Sequence, residues 1–397
     1  MSETPWLTIV GIGEDGVDGL TPSSQAALRR AEIIMGPPRH LAMVPQSAAQ
    51  RIAWPVPFAD GLSVLEGLRG QQVVVLASGD PFWFGAGSVI ARQFDASEWT
   101  ALPALSCFAL AAAHLGWALD KTMCIGLHAA PFTRLRRDLA HGVKIIATLR
   151  DGEAVAGLAT YLTSTGYGQS RLTVMEHLGG VAERITSSTA ETITGAFEHP
   201  VCVAMHVAGD GRALPVATGL PDDTFDHDGQ ITKRPVRAIT LSTLAPLPGA
   251  HLWDVGGGSG SIGLEWLLAH PTTTATSIEP RADRVERIRQ NAANLGVGHR
   301  MTVIEGAAPE ALTDLRAPDA VFVGGGLSHD LLQAVTALPS PRIVVNAVTL
   351  EGEALLAGFH AELGGDLMRI EISNATALGP KRGWSASYPV VQWSLIR

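Results

Sequence analysis

The run His251-Leu252-Trp253-Asp254-Val255-Gly256-Gly257-Gly258-Ser259-Gly260-Ser261 decides the fold class. A short β-rich segment runs into glycines, and the apolar stretch Ile262 to Leu268 that follows reads as a helix. A strand, a glycine turn and a helix in that order bring bare backbone close to a bound cofactor, where side chains would collide with it. About twenty residues further on, after a second strand at Thr274–Ile278, Glu279 stands where an acid would take both hydroxyls of a ribose. These features together point to a nucleoside site. Glycine turns alone leave open whether the nucleoside is NAD or S-adenosylmethionine (SAM).

Outward from that run, apolar β-rich segments alternate with helical stretches. They are Trp6–Val10, Val73–Ala77, Lys144–Thr148 and Val201–His206 in the first half, then His251–Val255, Thr274–Ile278, Met301–Ile304, Ala320–Val323 and Arg342–Asn346. The alternation predicts an α/β protein with mostly parallel central strands. At 397 residues the chain exceeds one ordinary core. Between Ala208 and Pro235 the pattern dissolves into Gly, Pro and Asp, so the expected division is a domain over 1–207, a linker over 208–230 and a domain over 231–397. A break inside the first half is expected near Leu119–Ile125, and no short-period repeat is present.

Composition excludes several classes. With 46% hydrophobic and 17% charged residues, large buried sheets are affordable and wholesale disorder is not expected. Cys107, Cys124 and Cys202 form no CxxC pair, which argues against a disulfide framework or a zinc ribbon and for the cytoplasm. Met1 to Trp6 lacks the basic and apolar segments of a signal peptide, and His114 interrupts the apolar run Phe108 to Leu119, so no membrane partner is expected. A net charge of −9 disfavours nucleic acid, whose phosphates need clustered Lys and Arg.

In the first half, Gly11-Ile12-Gly13-Glu14-Asp15-Gly16 fits the dinucleotide pattern G-x-G-x-x-G. The helix that should open at the last glycine starts instead at Thr21-Pro22, an N-cap followed by a first-turn proline, so the loop is longer and differently aimed. Ser78-Gly79-Asp80-Pro81 follows a strand directly, and Pro103-Ala104-Leu105-Ser106-Cys107-Phe108 opens an Ala-rich helix. Asp80 also suits an Asx turn before Pro81.

Two resemblances rest on these residues. Asp254, two positions before Gly256, matches the arrangement in class I SAM-dependent methyltransferases. From Thr232 onward, Thr232-Lys233-Arg234-Pro235-Val236-Arg237, Leu252-Trp253-Asp254, Ile304-Glu305-Gly306-Ala307-Ala308-Pro309 and Asp319-Ala320-Val321-Phe322-Val323-Gly324-Gly325-Gly326 resemble a decarboxylating precorrin methyltransferase domain. That resemblance implies a Rossmann-like fold in which Thr232, Gly256, Gly257, Gly258, Ser259, Gly260, Glu279 and the backbone at Ala307 line a SAM pocket. Where the family commonly has Gly-Asp-Ala-Pro, this sequence has Gly306-Ala307-Ala308-Pro309, so an adenine contact from that Asp is missing. The glycine loops of the first half, with Ala31-Glu32-Ile33-Ile34-Met35-Gly36, resemble the tetrapyrrole methylase family, particularly its precorrin C5-methyltransferase branch. This implies a two-lobed fold with a second SAM held by Gly79, Asp80, Pro81 and Ser106, and with Gly11 and Gly13 facing the tetrapyrrole.

The function implied by both resemblances is methylation of precorrin-6B, also called precorrin-6Y, at C5 and C15 with loss of the C12 acetate carboxyl group, giving precorrin-8 in cobalamin biosynthesis. The first domain would act at C5 and the second at C15 and C12. A homo-oligomer is expected from the family alone. No metal or nucleophilic side chain is required, because the sulfonium methyl is already electrophilic. A polycarboxylate substrate calls for cations, with Lys233, Arg237, Lys381 and Arg382 as candidates. Gly325 and its neighbours replace the Asn-Pro-Pro-Tyr motif of amino-methylating enzymes; they suit either an open floor for a flat substrate or an ordinary flexible turn. The rival readings are an NAD oxidoreductase, an RNA methyltransferase and a SAM-binding sensor without turnover.

Overall fold

Consecutive apolar residues in β1 (Leu7–Ile12) and β4 (Val73–Ser78) make sense once both faces of their sheet are covered. Leu7, Ile9, Val73 and Val75 enter one core, and Val10, Ile12, Val74 and Leu76 enter another on the opposite face. The computed structural model describes residues 5–339 and 341–396; Met1–Thr4, part of the stretch read for a signal peptide, lie outside them. With β2 (Ile33–Gly36), β3 (Gln50–Ala53) and β5 (Trp99–Leu102), these strands form a parallel sheet in the order β3-β2-β4-β1-β5. Its helices are α1 (Pro22–Arg30), α2 (Pro38–Met43), α3 (Asp60–Glu66) and α4 (Gly87–Gln93). Thr21 caps α1 as expected, its hydroxyl accepting from the Ser24 amide at 3.2 Å.

After α5 (Cys107–Leu115), closed by the left-handed Gly116, a second sheet begins at β6 (Met123–Gly126), where the sequence suggests a break. It continues with β7 (Lys144–Thr148), α6 (Glu153–Ser164), β8 (Arg171–Glu176), β9 (Arg184–Thr189) and β10 (Val201–His206), in the order β6-β7-β10-β8-β9. Only the β6–β7 pairing is parallel; β10 runs antiparallel to β7 and β8, and β9 to β8. The expectation of parallel strands fails here because hairpin partners read from composition look the same as crossover strands.

The second unit follows α7 (Arg234–Leu244). It comprises β11 (His251–Val255), α8 (Ser261–Ala269), β12 (Thr274–Glu279), α9 (Ala282–Asn294), β13 (Met301–Glu305), β14 (Ala320–Val323), α10 (His329–Thr336), β15 (Arg342–Ala347), α11 (Leu350–Leu363), β16 (Asp366–Ile370), β17 (Ser373–Leu378), β18 (Lys381–Ala386) and β19 (Val390–Leu395). Seven strands line up as β13-β12-β11-β14-β15-β19-β16, parallel as far as β15 and antiparallel at β19, while β17 and β18 form a separate hairpin. Strand order reverses between β11 and β14, the place where open α/β sheets bind ligands.

The chain to Pro131 together with Leu139–Arg212 makes one compact unit; Phe132–Asp138 with the chain from Ala213 makes the other. The expected linker 208–230 therefore divides differently. Leu214, Leu220 and Phe225 are buried in the second core beside Leu241 and Leu252, so this stretch is irregular backbone anchored by spaced apolar residues. Among the described residues no helix is long and apolar enough to cross a membrane.

Candidate active sites

At the strand-order reversal the two glycine runs meet. Gly256, Gly258 and Gly260 have φ of 72°, 59° and 78°, a left-handed backbone that glycine adopts without steric cost. A Cβ on Gly256 would sit 2.6 Å from the Gly325 Cα, so Gly325 serves the close packing of two loops. Beside them, in the second unit, lies a cavity of about 970 Å³; the first unit has its own cavity of about 410 Å³, and both are within the range of small-molecule sites.

The second cavity brings together Thr232, Lys233, Gly256, Gly257, Gly258, Ser259, Glu279, Ala307 and Gly325. Gly260 is the exception: it packs towards Ile288 and shapes the turn. Glu279 is 3% exposed; one oxygen accepts from the Gly258 amide at 2.8 Å and the other from the Arg281 amide at 3.1 Å. Asp254, fully buried, accepts from Gly263 N at 3.2 Å and leaves Oδ1 without a partner. Burial above all pushes its carboxyl up to about 7; the Gly263 amide opposes this and the charge of Glu279 adds to it. Ser259 Oγ is likewise buried and unpaired. Orphaned polar atoms beneath a glycine loop, and the uncapped first turn of α8 at Ser261 and Ile262, suit a polar, partly charged nucleoside such as SAM.

Three cation assignments change. Arg237 is fully buried: its Nε donates to Glu265 at 2.6 Å, its Nη2 pairs with Asp222 at 3.0 Å, and its guanidinium also bonds the Thr232 and Leu220 carbonyls. It pins the segment carrying Thr232 and cannot reach a substrate. Lys381 and Arg382 lie on the exposed β17–β18 hairpin; the cavity is lined instead by Ser387 and Tyr388 just beyond it. Sequence reading missed Asn346, at the end of β15, where a polar residue closing an apolar strand was the available signal.

The first cavity lies between the two sheets of its unit. It is lined by Gly13 and Glu14 after β1, by Ser78 at the end of β4 with Gly79 and Asp80 after it, and by Ser106 at the start of α5. Gly79 has φ of 51°. Asp80 forms an Asx turn, accepting from Phe82 N at 2.9 Å, and Ser106 caps α5 by accepting from Ala109 N at 3.2 Å. Gly11 does not face the cleft: a Cβ there would lie 1.9 Å from the Gly79 carbonyl oxygen, so its bareness lets the loop after β4 cross β1. Pro81 is not among the lining residues, and its carbonyl holds the Gly87 amide at 2.9 Å. Trp54, Phe58, Trp83, Phe84 and Phe108 give the cleft an aromatic wall, with Trp83 stacked on Phe108 at 5.3 Å.

The two cavities correspond to two family matches. Residues 6–194 match the tetrapyrrole (corrin/porphyrin) methylases and residues 223–397 the precorrin methyltransferase domain. A precorrin-6Y C(5,15)-methyltransferase [decarboxylating] from a Sinorhizobium species is 46% identical over 98% of this chain and 96% of its own. The chain belongs to the decarboxylating precorrin-6Y C(5,15)-methyltransferase family. Another member, from Mycobacterium tuberculosis, is 40% identical over 98% of this chain and all of its own. Among solved structures, the C-terminal domain of the precorrin-6Y C5,15-methyltransferase from Rhodobacter capsulatus is 52% identical, covering 46% of this chain and 100% of that one, with a TM-score of 0.45.

Proposed function

We propose that this protein methylates precorrin-6Y twice with SAM, at C5 in the first unit and at C15 in the second, where the C12 acetate also loses its carboxyl group, giving precorrin-8. What carries this reading is one cofactor-sized cavity in each unit, each beside a glycine turn at the carboxyl ends of parallel strands, in a member of the decarboxylating family. SAM supplies a methyl group made electrophilic by its positively charged sulfur. The protein's part is to bind, align and exclude water.

In the second unit, Glu279 is fixed by two backbone amides and keeps lone pairs for ribose hydroxyls, while Asp254 Oδ1 and Ser259 Oγ offer unused polar atoms. Lys233 at the cavity edge supplies a cation for a substrate carboxylate. In the first unit, Gly79, Asp80 and Ser106 hold the cofactor side, and the aromatic wall suits a flat macrocycle. A homo-oligomer fits the exposed hairpin, where Leu378 and Trp384 are 69% and 80% accessible and a second copy would cover them. Three free cysteines fit a cytoplasmic setting. Calorimetric titration tests the assignment: two SAM molecules per chain are expected, and one in a Gly256→Val variant. A single site in the unaltered protein would overturn it.

A further inference from the structure

Replacing the hydrogen on C5 with a methyl group releases a proton, and a cleft walled by aromatic side chains must contain a group to receive it. The nucleophilic carbon forms its bond to the sulfonium methyl as the carbon–sulfur bond breaks, which leaves a neutral thioether and a cationic ring. Loss of the C5 proton then restores the neutral conjugated ring. The first cavity offers several ionisable groups. His40 is committed elsewhere: its Nε2 lies 2.8 Å from Arg39 and 3.1 Å from Ser78 Oγ, and burial first, with the charge of Arg39 second, pushes it down to about 4. His199 is lowered by the same two causes in the same order, and Asp80 is committed to its turn.

Glu14 differs from these in its chain of side-chain partners. It follows Gly13 in the first glycine loop and lines the cavity. One carboxylate oxygen pairs with Arg39, and the other lies 3.2 Å from His177 Nδ1. On the far side of that ring, Nε2 lies 3.5 Å from Glu198. Side-chain exposure rises along the series, 14% for Glu14, 21% for His177 and 76% for Glu198, so the three form a path from the cleft to solvent. Glu14 follows β1 and Arg39 lies in α2, both beside the first sheet, whereas His177 and Glu198 follow β8 and precede β10, so the path closes only when both sheets of the unit are in place.

We infer that Glu14 is the base that takes the C5 proton, and that His177 and Glu198 carry it to solvent. With the ring hydrogen of His177 on Nε2, Nδ1 accepts the proton from Glu14 as Nε2 gives its own to Glu198, so the ring ends neutral. Arg39, paired with the other carboxylate oxygen, holds Glu14 in place at the cavity wall. The inference rests on the reading of this cleft as the C5 site.

The test uses the full chain with SAM and precorrin-6Y, either unlabelled or carrying deuterium at C5. The unaltered protein is assayed first: if it leaves C5 unmethylated, the site assignment fails before any variant is judged. Glu14→Gln is expected to bind SAM normally, to slow C5 methylation about 100-fold or more, and to show a larger isotope effect at C5 than the unaltered protein. Formate should restore part of the rate in Glu14→Ala, and imidazole part of it in His177→Ala; a merely structural brace would respond to neither. A Glu14→Gln rate within about twofold of the unaltered protein's would overturn the role. So would loss of SAM binding in both Glu14→Gln and Glu14→Asp, which would make Glu14 a brace.

Discussion

Arg237 and Asp254 show how differently two buried charges behave. Arg237→Met would leave Glu265 buried without its cation, at a cost of about 3–5 kcal/mol. Urea unfolding should register this as a lower midpoint, with weaker SAM binding in the second unit because Thr232 loses its anchor. A raised KM with unchanged stability would instead return Arg237 to substrate binding. Asp254 has the opposite sign. Its folded pKa of about 7 lies above the ordinary carboxylate value of 3.8, so the neutral form favours folding. That contribution is complete below about pH 4 and is lost as pH rises through 7. Without SAM, Asp254→Asn should therefore gain stability relative to the unaltered protein between pH 4 and 7 and level off above, as followed by unfolding of the second unit. The placement of the glycine turn and of Glu279 was legible in the sequence because it depends on local order along one strand-turn-helix. Arg237 was not, since its partner Glu265 lies across a helix packing that sequence spacing does not reveal.

At the scale of elements, the turn after β11 is the most constrained. Gly256→Ala combines a left-handed backbone with a Cβ 2.6 Å from Gly325, so it should abolish SAM binding in the second unit while the first unit still binds. Equal loss at both sites would contradict that. The hairpin β17–β18 makes a separate prediction: Trp384→Ser should lower the oligomeric state measured by light scattering without unfolding the chain. Strands with continuous apolar runs, such as β4 and β14, were readable because both faces are buried. The exposed β17 and β18 carry no such signal, and β9 is only half-buried, so its antiparallel pairing with β8 was invisible.

For the whole molecule, two sites on one chain imply that the reaction can be divided. Gly79 has φ of 51° and a Cβ there would lie 2.9 Å from the Leu105 carbonyl oxygen, so Gly79→Val should stop C5 methylation alone. Such a variant should still add one methyl group and release carbon dioxide. The most direct measurement is the product mass after anaerobic incubation of the unaltered protein with SAM and precorrin-6Y. A gain of two methyl groups with loss of one carbon dioxide is the expected result; unchanged substrate with SAM intact would contradict it.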